Sequence, residues 1–505
     1  MQVSLAFSSA MLVEMKSSLL ATFALIAFHA LPASAQVPPT PTSLPPLNRT
    51  TIDLNITGIY APDTLFTFQC VPFDVPPGCT SITVVQTYDK AIGNSLDIGA
   101  WDPRGFQMYD GFNKSTGFRG WSGGAKTNFT ISPANASTGY IPGSIQPGTW
   151  CVAQGPYVVL PQGIHWQLSI TLGFDPVDTF YQPFPSNARI GSDPDPAGPK
   201  WRRGDFHVHT MYSDGGSTPA QVVGFAKDAN LDFMVSTEHN TNAANKFYGA
   251  ITPDDLLVMR GEEVTTRNGH WQSIGMGDDD WVEFRYRPGD SPGLADAKRQ
   301  VRDSIGGVVS INHPFIHVNC DRCNWTFPDW EFDAMELWNG YWDETDQMAV
   351  DKWQEEMVGG NMLCGLGGSD YHNPPVVVGV PTTIVKSEAQ TQNAVVFGVK
   401  RCRVIIVYGP KYDLTMCVRA GNNPCVEVGD QVVGEGKLQL ELGTTGMNGT
   451  TADIWTEKGK IHELEIKEKK ETLTYDLPEG HKWVRVEVRN STNMVGLTNI
   501  VTLKP

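Results

Sequence analysis

The stretch Gly204-Asp205-Phe206-His207-Val208-His209-Thr210-Met211-Tyr212-Ser213-Asp214-Gly215-Gly216 decides how the rest of the chain is read. In an extended segment successive side chains alternate, so His207 and His209 share one side of a strand end, with Asp214 in the turn just beyond. Four more strings of this kind follow in order: STEHN at 236–240, RGEEVTTRNGH at 260–270, INHPF at 311–315 and GGSDYH at 367–372. Seven of the eleven histidines (207, 209, 239, 270, 313, 317 and 372) fall in this third of the chain, in company with carboxylates. Singly, each string has a plain reading: a surface pair, a turn-forming aspartate, a packed histidine before proline, a helix cap. Five in order, four of them directly after a strand candidate, point instead to one site built at strand ends.

Around those strings, strand candidates at Leu231–Ser236, Leu256–Arg260, Gly307–Ile311, Ala334–Trp338 and Met362–Leu366 alternate with helix candidates. One helix opens at Thr218 as N-cap with Pro219 in the first turn; the others span 293–305, 344–358 and 387–399. Alternation of this kind predicts parallel β/α units over 200–402. The flanks differ. Residues 50–195 carry short runs such as Ser81–Val85 and Trp166–Leu172 between Gly, Pro and Asn, which predicts a β-sandwich or jelly roll. A linker rich in Asp and Pro, 192–199, closes it. From 403 to 505, alternating runs at Lys437–Leu442 and Trp483–Val488 predict a second β-sandwich.

With 505 residues the chain exceeds one core, and 40% hydrophobic against 18% charged residues is a globular composition. A formal net charge of -17 disfavours binding to nucleic-acid duplexes, which requires clustered Lys and Arg. Lys16, an apolar run from Leu19 to Leu31 and Ala33-Ser34-Ala35 read as a signal peptide over 1–35, cleaved before Gln36 and followed by a Pro-rich linker at 36–49. No later stretch reaches the roughly 20 apolar residues of a membrane span. Sequons at Asn48, Asn55, Asn113, Asn128, Asn135, Asn324, Asn448 and Asn490 fit a secreted, extracellular protein carrying N-linked glycans. The nine cysteines suggest local bridges Cys70/Cys79, Cys417/Cys425 and Cys320/Cys323, leaving Cys151, Cys364 and Cys402 unassigned.

The five strings together resemble the PHP (polymerase and histidinol phosphatase) family of metallo-hydrolases over about residues 200–400. Leu96–Gly99 and Gly120–Gly124 before that region, with Thr498-Asn499 after it, are similar to the secreted carbaryl-hydrolase-like branch. The resemblance implies a distorted (β/α)7 TIM-like barrel between the β-sandwiches, holding two or three divalent ions (Zn, Mn or Fe). By position it implies one ion on His207, His209, Glu263 and Asp370. Glu263, chosen over Glu262 because Gly261 stands two residues before it, would bridge to a second ion on His270 and His313. Asp214, His239 and His372 would hold a third, sharing no ligand with the first two. Glu238 would orient His239 from behind, and Trp338-Asn339 would line the pocket mouth. Glu263 and Asp370 stand as catalytic carboxylates, His317 as a general acid, and Arg267 as either a substrate oxyanion contact or an exposed loop residue. The implied chemistry is hydrolysis of a small-molecule phosphoester, with a carbamate or aryl ester as the alternative. From a different class, the chain would be an extracellular glycan-binding or cell-wall protein that keeps its barrel only as scaffold.

Overall fold

The computed structural model describes residues 50–107, 116–184, 194–196, 198–316 and 322–503. The expected signal peptide, the Pro-rich linker, the sequons at Asn48 and Asn113, His317 and Cys320 lie outside them, as do residues 192, 193 and 197 of the 192–199 linker. Within them the chain is mostly β, with four α-helices. No helix among the described residues is long and apolar enough to cross a membrane.

The first eight strands are β1 (Thr51–Tyr60), β2 (Gln69–Val75), β3 (Ser81–Tyr88), β4 (Ser95–Trp101), β5 (Phe118–Gly123), β6 (Asn128–Ile131), β7 (Gly148–Val158) and β8 (Ile164–Gly173). They form two four-stranded antiparallel sheets, β1-β8-β3-β6 and β2-β7-β4-β5. Val84, Leu168 and Ile170 of the first share one buried cluster with Phe73, Ile98 and Trp150 of the second. The period-two burial along β8 shows why: alternate residues face the opposite sheet. Truncating any of these aliphatic residues to alanine costs about 2–5 kcal/mol.

The central region adds β9 (Lys200–Asp205), α1 (Pro219–Asp228), β10 (Phe233–Ser236), β11 (Leu257–Thr266), β12 (Gly269–Ile274), α2 (Ser291–Arg299), β13 (Val308–Ile311), β14 (Ala334–Asn339), α3 (Glu344–Gly359), β15 (Cys364–Gly368), β16 (Thr382–Ser387), α4 (Gln392–Lys400) and β17 (Val404–Val407). The helix starts have local causes. Thr218 caps α1 in a reciprocal capping box with Gln221, and Asp343 caps α3 with Asp346 in the same way. At the helix expected over 387–399, the strand β16 takes the first residue and α4 starts only after Thr391.

Two expectations need correction. The sheet is mixed: β9, β10 and β11 run parallel, as do β13, β14 and β15, but β12 enters antiparallel between β11 and β13, and β16 pairs antiparallel with β9. The hairpin at Arg267-Asn268 turns the chain straight back, so no crossover helix intervenes. Nor do the described strands close a barrel by main-chain pairing; they follow an open path from β15 to β9, then on through β16 and β17. The two ends of the stretch from β9 to β15 still meet beyond the strands proper. Val208 and Tyr371 form an isolated parallel bridge, and a side chain at Gly368 would come within 2.4 Å of His207 Cβ, so only glycine permits that approach.

The last strands are β18 (Asp413–Ala420), β19 (Val426–Glu427), β20 (Leu438–Thr445), β21 (Thr450–Thr456), β22 (Gly459–Ile466), β23 (Lys470–Asp476), β24 (Trp483–Asn490), β25 (Asn493–Thr498) and β26 (Val501–Thr502). The sheet β19-β18-β20-β23 stands apart, whereas β25, β24, β21 and β22 continue the central sheet through the pair β17–β25. Leu414, Leu440 and Leu442 of the first layer and Ile454, Val484 and Val486 of the second belong to one apolar core.

Between described residues the disulfides are Cys70–Cys151 and Cys417–Cys425, and Cys323 is disulfide-bonded as well. The second matches the expected loop; the first replaces Cys70/Cys79, because β2 pairs with β7 in a register that sets Pro72 opposite Cys151, while Cys79 is buried with a free thiol. Asn55, Asn128, Asn135, Asn448 and Asn490 are exposed and Asn324 is half-buried.

Candidate metal centre

The strand ends deliver the histidines. His207 and His209 follow β9, with the His207 N–H donating to Asp205 Oδ1 at 3.1 Å. His239 follows β10 and bridges to Glu263 on β11; His270 stands on β12, opposite Thr265. His313 follows β13, and Asp370 and His372 follow β15. His313 and Asp370 both adopt positive φ, 23° and 50°, a backbone cost that turns each side chain toward the centre.

Glu263 is the hub. Its Oε1 lies 3.3 Å from His207 Nε2, 3.2 Å from His270 Nδ1 and 3.0 Å from His313 Nε2, and its Oε2 lies 2.8 Å from His239 Nδ1 and 3.4 Å from His209 Nε2. Glu262 points the other way and accepts from the Val282 N–H. Asp370 Oδ1 lies 3.3 Å from His207 Nε2 and 3.2 Å from His209 Nε2. Asp214 Oδ1 lies 3.1 Å from His372 Nε2 and 3.5 Å from His239 Nε2.

Four groups of donor atoms are close enough to hold an ion: His207, His209 and Asp370; His239, Glu263 and His270; His207, His313 and Glu336; and His209, Asp214, His239 and His372. The last includes His209 and His239, which also belong to other groups. Asp214, His239 and His372, the expected third set, thus lie together, with His209 as a further donor beside them.

Burial fixes the charge states of these groups. It lowers the His209 ring to about 3, helped by the nearby His372 and His239, and lowers His270 to about 4 against the pull of Glu263. Both are thus neutral imidazoles at pH 7, the form that binds a cation. Burial alone would raise Glu263, but His207, His239 and His270 outweigh it and hold the carboxyl well below its usual range. His372 goes the other way: burial lowers it, and the Asp214 hydrogen bond with the Asp370 charge more than compensates, lifting it to about 10.

The residues fit divalent cations on a specific observation. His207 Nε2, His209 Nε2, Glu263 Oε2 and Asp370 Oδ1 are buried, have no hydrogen-bond partner, and converge on one another. Orphaned polar atoms of this kind cost free energy unless something satisfies them. Imidazole with carboxylate is a donor set suited to Zn, Mn or Fe.

A second layer orients these groups, and the sequence reading missed most of it. Glu336 on β14 accepts from His207 Nδ1 at 3.0 Å and from the His313 N–H at 2.9 Å. Asn312 donates to Glu263 Oε1 at 2.8 Å, and the Asn339 amide reaches Glu336 at 3.0 Å and Asp370 at 3.3 Å. Such partners fix ring orientation and tautomer. Asn339 therefore positions two carboxylates, and Trp338 is wholly buried in the core; neither lines a mouth. The Glu238 carboxylate takes its hydrogen bonds elsewhere than His239: it accepts from Thr210 and from Ser213 Oγ, which sits behind His209 at 3.5 Å from Nδ1. His239 Nδ1 has Thr265 Oγ1 at 2.5 Å beside Glu263 Oε2 at 2.8 Å.

Over the centre lies a cavity of about 420 Å³, lined from the N-terminal region by Phe68, Asp97, Trp121 and Tyr157 and from the central region by Phe284 and Tyr286, with the Phe284 ring packed against Phe68 and Trp121 in one aromatic wall. Arg267 is not an exposed loop residue: it lines this cavity, and its Nε has no hydrogen-bond partner among the described residues. It donates to Asp97 at 2.6 Å and its guanidinium lies 3.9 Å above the Tyr157 ring, so β4 and β7 grip the β11–β12 hairpin between two metal-binding strings.

No family model and no curated protein matches the chain. Among solved structures it is similar to a two-domain protein from Bacteroides vulgatus containing a predicted PHP-like metal-dependent phosphoesterase, at 16% identity over 64% of this chain and 100% of that one, with a TM-score of 0.33. An amidohydrolase from Chromobacterium violaceum superposes with a TM-score of 0.26, at 14% identity over 41% of this chain and 98% of that one.

Proposed function

We propose that the chain is an exported metal-dependent hydrolase of the PHP type that cleaves small phosphoesters. The observation that carries the reading is the convergence of unpartnered, buried imidazole and carboxylate atoms at the strand ends. When bound there, two or three divalent cations would supply Lewis acidity and lower the pKa of water. The chain's own groups supply the rest. Glu263 would span neighbouring ions, His209 and His270 are neutral and ready to bind, and Asn339 with Glu336 holds Asp370 and His207 in place. The cavity is of a size that takes a small organic molecule.

The aromatic wall favours a second reading, in which the bond broken belongs to a carbamate or aryl ester whose flat group packs against Trp121 and Phe284. Polarisation of a phosphoryl or a carbonyl oxygen draws on the same cations. The test is a metal-loaded screen of phosphomonoesters, phosphodiesters, carbamates and aryl esters, with Glu263→Gln as the control. Turnover of a phosphomonoester that the variant loses supports the first reading, and turnover confined to carbamates or aryl esters supports the second. Full metal occupancy with no turnover on any ester would favour the glycan-binding class. Export has its own check: the purified chain should begin at Gln36 and lose apparent mass on enzymatic deglycosylation.

A further inference from the structure

Nine cysteines are an odd set. Cys70–Cys151, Cys417–Cys425 and the disulfide-bonded Cys323 leave Cys79, Cys364 and Cys402 as free thiols. Two of these meet at an unusual place. Cys364 opens β15, whose one described main-chain partner is β14. On the other side, toward β16 and β17, side chains stand in for the missing ladder. Thr383 Oγ1 accepts from the Gly367 N–H at 3.0 Å and donates to Gly367 O at 2.7 Å. The Asn499 amide accepts from the Gly365 N–H at 2.8 Å and donates to both Gly365 O and Val404 O, at 2.9 and 3.0 Å. One amide group therefore holds the backbone one residue after Cys364 and two residues after Cys402.

Both cysteines pack in the same apolar cluster, Cys364 fully buried and Cys402 half-buried, and burial together with the neighbouring Cys402 thiol pushes the Cys364 thiol up. The backbone of Cys402 adds an independent observation. It follows the C-cap of α4 in the left-handed region, with φ 50°. Glycine adopts that conformation freely and is the common residue there, whereas a residue with a Cβ is strained. The chain thus carries a strained thiol against a second thiol, at a seam the main chain leaves open.

We infer that Cys364 and Cys402 are a disulfide-forming pair that closes the β15–β17 seam covalently. The oxidant is a low-molecular-weight disulfide such as oxidised glutathione, of the kind found in oxidising compartments. The more accessible Cys402 loses its proton to solvent, and its thiolate attacks one sulfur of that disulfide and expels one glutathione. Cys364 then loses its proton and attacks the Cys402 sulfur, expelling the second glutathione as the Cys364–Cys402 bond forms. Two protein thiols are oxidised and one disulfide is reduced to two thiols. Because β15 runs straight into Asp370 and His372, the bond would anchor the strand that delivers them. The pairing stands independently of the hydrolase reading.

The experiment uses the full chain treated with oxidised glutathione at pH 8, denatured in iodoacetamide without reductant, digested and mapped by mass spectrometry. The expected result is a peptide pair joined through Cys364 and Cys402, with both cysteines alkylated only after prior reduction. Cys402→Gly, which suits the backbone at that position, should fold and leave Cys364 alkylated. Recovery of both cysteines alkylated after the oxidant would overturn the pairing. So would Cys402 trapped as a glutathione mixed disulfide beside a free Cys364, because the second thiol would then be unable to reach.

Discussion

The two ends of the metal centre are built differently. At the closed end, His207, His209 and Glu263 are wholly buried and are held from behind by Glu336, Asn312 and Ser213. At the open end, the side chains of Asp214, His239 and His372 are 44%, 21% and 31% exposed, and Asp214 rides on a turn. Buried imidazole and carboxylate atoms without protein partners are best satisfied by a cation, so ion binding at the closed end would be linked to folding. Donors that water can reach are satisfied either way. One constellation therefore combines a structural grip with an exchangeable position, and His209 and His239, which belong to groups at both ends, couple the two.

The sharpest way to break this contrast is to remove the hub. Glu263→Ala should cost more than one bound ion per chain and lower turnover at least roughly a thousandfold. Elemental analysis showing unchanged stoichiometry would sink the assignment. Arg267→Ala should keep its ions, although removing it strands Asp97 as a buried charge and destabilises the fold by about 3–5 kcal/mol.

A smaller effect separates the ends. Asp214→Asn should lose about tenfold in activity at limiting metal and recover with added metal, whereas His207→Ala should not recover. Activity titrations with ions counted in parallel would decide, and equal, unrecoverable loss in both would show a single cooperative unit. Graded chelation should show the same order without mutation: activity falls first, and the thermal midpoint falls only when the last ions leave. Simultaneous loss of both signals would erase the distinction. The mildest test concerns the wall. Trp121→Ala should raise KM for an aryl ester by roughly tenfold through lost apolar contact, with metal content unchanged; a loss of ions instead would show that the wall holds the centre together.

Much of the centre was legible because its donors are chemically rare types placed after strands, and Glu263 could be told from Glu262 by the glycine before the pair. What escaped has a common character. Glu336 sits in Ala334–Asn339, a strand recognised from its apolar run, but its string contains no histidine to mark it. Asn312 and Thr265 act through partners 49 and 26 residues away, and Ser213 joins His209 to Glu238 across 25 residues. The strand β12 was hidden because its six residues, GHWQSI, follow a two-residue turn and look like a loop tail. Cys70 was misassigned because bridging follows sheet register, and β2 pairs with a strand 81 residues further on rather than with its own neighbourhood. The open path of the central sheet was not legible either, since Thr383 and Asn499 replace main-chain bonds with side-chain ones.

The pair β17–β25, which makes the central sheet run on into the C-terminal layers, bears on how the gene can be cut. Ending the chain at 402 would remove β17 and every strand after it, leaving β16 with a row of unpaired amides and carbonyls. A bare edge of that kind recruits other chains. Expressing the metal-binding segment by itself should therefore yield aggregate rather than a minimal enzyme, and the last hundred residues are better treated as an edge guard than as an appendage.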